Sequence, residues 1–162
     1  MKVRIGVLSD THIPVAAREI PRKVLELLGG VDLIAHAGDI LQLTVLEELQ
    51  ELAEVRAVYG NMDTHSVREK LPEIDAFEVQ GFKIGIIHGS GPPPSGIESR
   101  IREKFDEVDV IIYGHSHSPK NEIINDVLFF NPGSPTCRVF APCNSFGILT
   151  IDKEIRGKII KI

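Results

Sequence analysis

Five apolar runs of this chain each end almost at once in a side chain able to hold a cation. They are Val7-Leu8-Ser9-Asp10-Thr11-His12, Ala35-His36-Ala37-Gly38-Asp39, Val58-Tyr59-Gly60-Asn61, Ile86-Ile87-His88-Gly89 and Ile112-Tyr113-Gly114-His115-Ser116-His117. Together Asp10, His12, Asp39, Asn61, His88, His115 and His117 offer four imidazoles, two carboxylates and one amide oxygen. The set lacks the thiolates of a structural zinc site and the all-oxygen character of a calcium or magnesium site, whereas Mn, Fe, Zn, Ni or Co suits it. Seven ligands exceed what one tetrahedral ion takes and match two ions sharing a bridging carboxylate.

Each residue alone has an ordinary explanation. A single strand-end His is commonly a hydrogen-bonded structural residue, Asp10 can cap a turn, and Asn61 suits a left-handed position after Gly60. Recurrence at five strand ends is what no core requires, because ligands of open α/β sheets gather beyond the carboxyl ends of the strands. Gly38, Gly60 and Gly114 stand beside these ligands, where a missing Cβ permits tight turns. Gly114 and Pro119 bracket His115 and His117, which places both in a loop from which they can reach different ions. His36 reads as a core or supporting histidine, Lys120 as a solvated lysine and His65 as a loop residue. His88-Gly89-Ser90-Gly91 lacks the G-x-S-x-G elbow of a serine hydrolase, and no Walker or G-x-G-x-x-G loop is present.

The elements that position these groups follow from the apolar pattern. Strands are expected at Val3 to Leu8, Asp32 to Ala37 and Glu54 to Tyr59, alternating with helices after Pro21 and from Leu41 to Leu52, which implies parallel βαβ units. Ala76 to Gln80 and Phe82 to Ile87 read as a hairpin across Gly81, followed by a helix from Ile97 to Phe105 and a strand from Val108 to Tyr113. The last third reads as strands alone: Asn121 to Ile124, Val127 to Asn131, Phe146 to Ile151 and Ile155 to Ile162. An α/β half followed by an all-β run predicts two sheets face to face with helices outside, an α/β fold in the form of a four-layer αββα double β-sandwich. Gly91-Pro92-Pro93-Pro94-Ser95-Gly96 is expected to be a stiff surface loop, either walling the substrate cleft or forming a plain turn.

The 162 residues are expected to form one domain spanning 1–162. A formal charge of −5 with no basic block argues against stable nucleic-acid binding. No apolar run approaches the ~20 residues of a membrane span, and Met1-Lys2-Val3 leads straight into a strand without a signal-peptide pattern, so a cytoplasmic protein is expected. Cys137 and Cys143 match no zinc spacing and read as free thiols, with a disulfide between them as the alternative. Base rates alone would make the protein a homodimer.

With those residues in view, the chain resembles the calcineurin-like metallophosphoesterases, and within them the small YfcE-like phosphodiesterases. The resemblance rests on D-x-H at Asp10 and His12, G-D at Gly38-Asp39, G-N-x-D from Gly60 to Asp63, His88 before Gly89, G-H-x-H from Gly114 to His117, and Asn131-Pro132-Gly133-Ser134. It implies that Asp10, His12 and His117 hold one ion and Asn61, His88 and His115 another, with Asp39 bridging. Two divalent ions follow as cofactors, manganese first, with Ni, Zn, Fe, Co or Mg as alternatives.

The expected reaction is hydrolysis of a small phosphodiester by in-line attack of a metal-bridging hydroxide, since coordination lowers the pKa of water from 15.7 to roughly 7. Asp39, Asn61 and Asp63 are the expected catalytic residues, Asn61 orienting the ester. One position departs from the family pattern: Met62 stands where many superfamily members carry a His near the leaving group. Asp63 or His65 would have to replace that proton source, and aryl diesters such as bis-p-nitrophenyl phosphate should outrun alkyl ones, because general-acid help is worth 10²–10⁴-fold. The competing expectation is a Vps29-like protein-binding scaffold with a retained metal site, a branch resembling a retromer subunit, which would use the fold for protein contacts.

Overall fold

The computed structural model describes residues 1–93 and 95–162; Pro94, within the expected stiff loop, lies outside the described residues. In chain order the elements are β1 (Val3–Leu8), α1 (Arg22–Leu28), β2 (Leu33–His36), α2 (Leu43–Gln50), β3 (Glu54–Ala57), α3 (His65–Lys70) and β4 (Ile74–Val79). There follow β5 (Phe82–Ile87), α4 (Ile97–Arg102), β6 (Val110–Ile112), β7 (Lys120–Ile124), β8 (Val127–Asn131), β9 (Ser145–Ile151) and β10 (Ile155–Lys161).

Two five-stranded sheets form, one in the order β10-β9-β1-β2-β3 and the other β4-β5-β6-β8-β7. Within the first, β1, β2 and β3 run parallel while β9 and β10 add antiparallel strands to the free side of β1. Within the second, β5, β6 and β8 run parallel and β4 and β7 close the edges antiparallel. The C-terminal strands therefore divide between the sheets, a partition that periodicity cannot express.

Alternation along each strand builds the layers. Ile5, Val7, Leu33 and Ala35 of the first sheet meet Ile84, Ile86, Val110, Ile112 and Phe130 of the second in a dry seam. Residues of opposite parity, such as Leu8, Ile34 and Ile148, face outward to Val24 and Leu28 of α1 and Leu46 and Leu49 of α2. On the far side Ile87, Ile111 and Phe129 pack against Ile97 and Ile101 of α4. The αββα sandwich thus rests on a hydrophobic stripe along α1, α2 and α4 and on two apolar faces of the central strands. Phe130 threads the seam: a Cβ at Gly147 would lie 2.4 Å from its ring and one at Gly157 2.7 Å, so both glycines make room for it.

Helix α3 was not expected from the sequence. It spans only six residues and buries Val67 alone, too little apolar pattern to register as a helix. The strands expected to reach Tyr59 and Tyr113 end earlier, at Ala57 and Ile112, where the chain turns into the loops described next. Both cysteines are free. No helix of the described residues is long and apolar enough to cross a membrane.

Candidate metal centre

The loops that leave β1, β2, β3, β5 and β6 at their carboxyl ends carry the seven ligand-type residues to one crevice between the sheets. Asp10 is fully buried, and its two oxygens have different neighbours. Oδ2 accepts hydrogen bonds from the Ser9 hydroxyl at 2.6 Å and the His115 N–H at 3.0 Å. Oδ1 has no hydrogen-bond partner among the described residues and lies 3.3 Å from His117 Nε2 and 3.6 Å from His12 Nε2. Asp39 repeats the division. Its Oδ1 accepts the Met62 N–H at 2.8 Å, while Oδ2 stands 3.4 Å from His12 Nε2 and 3.2 Å from His88 Nε2.

His88 donates from Nδ1 to the Ala37 carbonyl at 2.7 Å, which turns Nε2 toward the crevice. There it meets Asn61 Oδ1 at 3.0 Å. The ring of His115 packs edge-on to His88 with centroids 5.2 Å apart, and those of His12 and His117 lie 5.1 Å apart. Two tight donor groups result, Asp10 with His12 and His117, and Asp10 with Asp39 and His88.

The donor set fits divalent ions. Ligands about 2.1 Å from an ion are separated by about 3.0 Å along an octahedral edge and about 3.4 Å along a tetrahedral one, and the 3.0–3.6 Å separations here span those values. Burial alone would raise the Asp10 pKa, yet the imidazoles of His117, His12 and His88 beside it hold it well below the usual carboxylate range. Asp39 is lowered against its own burial by His88 and the Met62 N–H. The Asp10 carboxylate beside it pushes His117 up to about 9. Two carboxylates kept anionic away from water demand compensating positive charge.

The backbone is bent to this purpose. Asp10, His12, Asp39, His115 and His117 all have positive φ, between 42° and 69°. Non-glycine residues rarely adopt that region, and such strain concentrates at functional sites. Space is equally tight: a Cβ on Gly60 would sit 2.2 Å from Asp39 Oδ1, and one on Gly114 would sit 1.7 Å from the Ser9 hydroxyl oxygen.

Asp63 does not face the crevice. Its carboxylate accepts the N–H groups of Asp39, Ile40, Leu41 and Gly60 at 2.7–3.0 Å, tying the Asp39 loop to the Asn61 loop. The expected proton source is thereby corrected to a loop brace, because both oxygens are occupied by backbone donors. His65 is exposed and pairs with Glu69 at 3.1 Å. His36 is buried and lies beneath the centre, where Gly38 N–H donates to its Nδ1 at 3.1 Å and Nε2 meets Thr11 Oγ1 at 3.1 Å. Burial drives its pKa down to about 3 and keeps it neutral. Lys120 pairs with Glu98 and Glu122. Gly91 and Pro92 of the stiff loop line a smaller neighbouring cleft with Asn61, His88 and Arg100.

The physical role of Asn131-Pro132-Gly133-Ser134 was invisible in the sequence. Asn131 Nδ2 donates to Gly114 O and Ser116 Oγ, both at 3.0 Å, while Ser134 Oγ donates to Asp10 O at 2.7 Å and Thr136 Oγ1 to Thr11 O at 2.8 Å. The segment after β8 thus clamps the Asp10 and His115 loops together. Its strand-end position and its place in the family resemblance were the signals for it. Sequence reasoning also missed Val15, Ala16, Arg138, Val139 and Phe140, which wall a cleft of about 670 Å³ over His12, Asp39, Asn61, His115 and His117.

Comparison with known proteins agrees with this geometry. Residues 3–154 match the calcineurin-like phosphoesterase superfamily domain. A probable metallophosphoesterase of Methanocaldococcus jannaschii is 40% identical over 160 residues, covering 98% of this chain and 81% of its own. A protein named as a phosphodiesterase from the same organism is 32% identical over 174 residues, covering 98% and 99%. A crystal structure of a Vps29 mutant from Entamoeba histolytica superposes with a TM-score of 0.80 at 26% identity, covering 99% of each chain. The chain belongs to the calcineurin-like phosphoesterase superfamily.

Proposed function

We propose that the protein is a phosphodiesterase dependent on two divalent ions, with Asp10, His12 and His117 holding one, Asn61, His88 and His115 the other, and Asp39 shared. The observation that carries this reading is the pair of buried carboxylate oxygens, Asp10 Oδ1 and Asp39 Oδ2, left free of backbone donors within 3.2–3.6 Å of three imidazole nitrogens. When bound, such ions supply an acidified water that attacks phosphorus in line and positive charge for the phosphoryl oxygens.

The chain's own residues prepare that chemistry. Ala37 O holds His88 in the ligating tautomer, Met62 N–H and Ser9 Oγ–H fix the two carboxylates, and Asn61 stands exposed at the crevice edge, able to orient the ester. Among the described residues, neither expected substitute replaces the missing histidine at Met62: the thioether cannot donate, Asp63 is engaged with backbone and His65 points to Glu69. The leaving group must therefore depart largely as an anion, and manganese is the first expected activator.

Vps29 shares the architecture and one of its structures is complexed with zinc, so the enzyme reading is favoured by the relatives named as metallophosphoesterase and phosphodiesterase, at 40% and 32% identity. The test is to strip the protein with EDTA and assay mono- and diesters with Mn, Ni, Zn or Mg restored. The expected result is no turnover without metal, recovery with manganese on bis-p-nitrophenyl phosphate and lower rates on monoesters. A metal-loaded protein inert toward every ester, or one that takes up at most one ion, would overturn it.

A further inference from the structure

Among the described residues, the exposed large hydrophobic side chains are Met1, Val15, Leu27, Leu52, Met62, Ile123, Val139 and Phe140. Half of them, Val15, Met62, Val139 and Phe140, line one cleft over the candidate metal centre, at exposures of 59–81%. They arrive from three separate loops, after β1, after β3 and between β8 and β9. Scattered surface apolar residues need no explanation, but convergence of several on one cleft does.

The aromatic member is tied to the centre. The Phe140 ring stands 6.3 Å from the His117 ring at 74°, an edge contact that sets it at the lip of the ligand cluster. Its loop is braced, with Phe140 N–H donating to Cys137 Sγ at 3.4 Å and Asn144 Nδ2 to Cys137 O at 2.6 Å. Arg138, without a carboxylate partner among the described residues, lines the same cleft. The cleft therefore has a charged floor suited to an anionic head and an apolar lip suited to a flat, water-averse arm.

We infer that Val15, Met62, Val139 and Phe140 form an apolar subsite selecting phosphoesters with an aromatic arm beside the reacting phosphate. The inference rests on the phosphodiesterase reading but concerns binding, not leaving-group chemistry. Covering the ring of such an arm is worth roughly tenfold in affinity, at about 25 cal/mol per Å² of apolar surface.

The chain has two methionines, Met1 and Met62, so methyl-labelled methionine gives one probe in the cleft and one outside it. Zinc-loaded protein, wild type and Phe140→Ala, is titrated with phenylphosphonate and with methylphosphonate while the two methyl resonances are followed. Neither ligand can be hydrolysed, so leaving-group pKa does not enter. The expected result is roughly tenfold tighter binding of phenylphosphonate, a ring-current shift of Met62 but not Met1, and loss of most of that preference in Phe140→Ala, with methylphosphonate unaffected.

Equal affinity of the two phosphonates with Met62 unmoved would overturn the subsite, leave the phosphoester reading intact and turn the ridge into a contact for a protein partner. If neither phosphonate binds, the phosphoester reading fails instead. Titration of metal-free protein with p-nitrophenol then decides the subsite alone: a shift of Met62 retains it, and none removes it.

Discussion

Asp63 and Asn131 show how single side chains serve this centre without touching it. Four backbone N–H groups converge on the Asp63 carboxylate, so Asp63→Ala would leave several buried donors unpaired at about 1–3 kcal/mol each. A melting temperature lowered by roughly 10 °C, by calorimetry, is the expected outcome. The milder Asp63→Asn should leave the dependence of rate on leaving-group pKa unchanged across aryl diesters, whereas loss of a proton donor at this position would make it steeper. Asn131 acts on metal affinity through its clamp on Gly114 and Ser116. Asn131→Ala should weaken metal binding by about 10–100-fold in a competition assay with a chelating dye.

At the scale of elements, close approach decides what can be varied. Asp39 follows β2 and Asn61 follows β3, and the two loops touch so closely at Gly60 that an added Cβ would fall 2.7 Å from Asp39 N as well as on its carboxylate. Gly60→Ala should therefore displace Asp39 and reduce bound metal to less than one ion per chain by elemental analysis, with far-ultraviolet circular dichroism unchanged. Between the sheets the corresponding contact is Phe130 of β8 against Gly147 of β9 and Gly157 of β10. Phe130→Ala opens a cavity in the seam and should cost about 3–5 kcal/mol by denaturant unfolding.

Across the whole molecule the site draws its ligands from strand ends of both sheets, so occupancy and fold stability are coupled. An ion bound by the native state alone stabilises it by about 2.7 kcal/mol at a concentration one hundred times its dissociation constant. Chelation should lower the melting temperature by roughly 5–10 °C, and restoring manganese should reverse the change. A melting temperature indifferent to EDTA would mean that ions do not bind between the sheets.

Much of this was legible along the chain. Ligand types at five strand ends, the alternation of strands with helices and the β4–β5 hairpin follow from local composition, because strand ends, turns and apolar period leave traces within a few residues. The division of the last strands between two sheets, the braced carboxylate of Asp63 and the clamp at Asn131 and Ser134 depend on contacts between residues far apart in sequence, such as Ser134 with Asp10. Local pattern tells that a carboxylate is present; only the packed molecule decides whether its oxygens are taken by backbone amides, as in Asp63, or left facing imidazoles, as in Asp10 and Asp39.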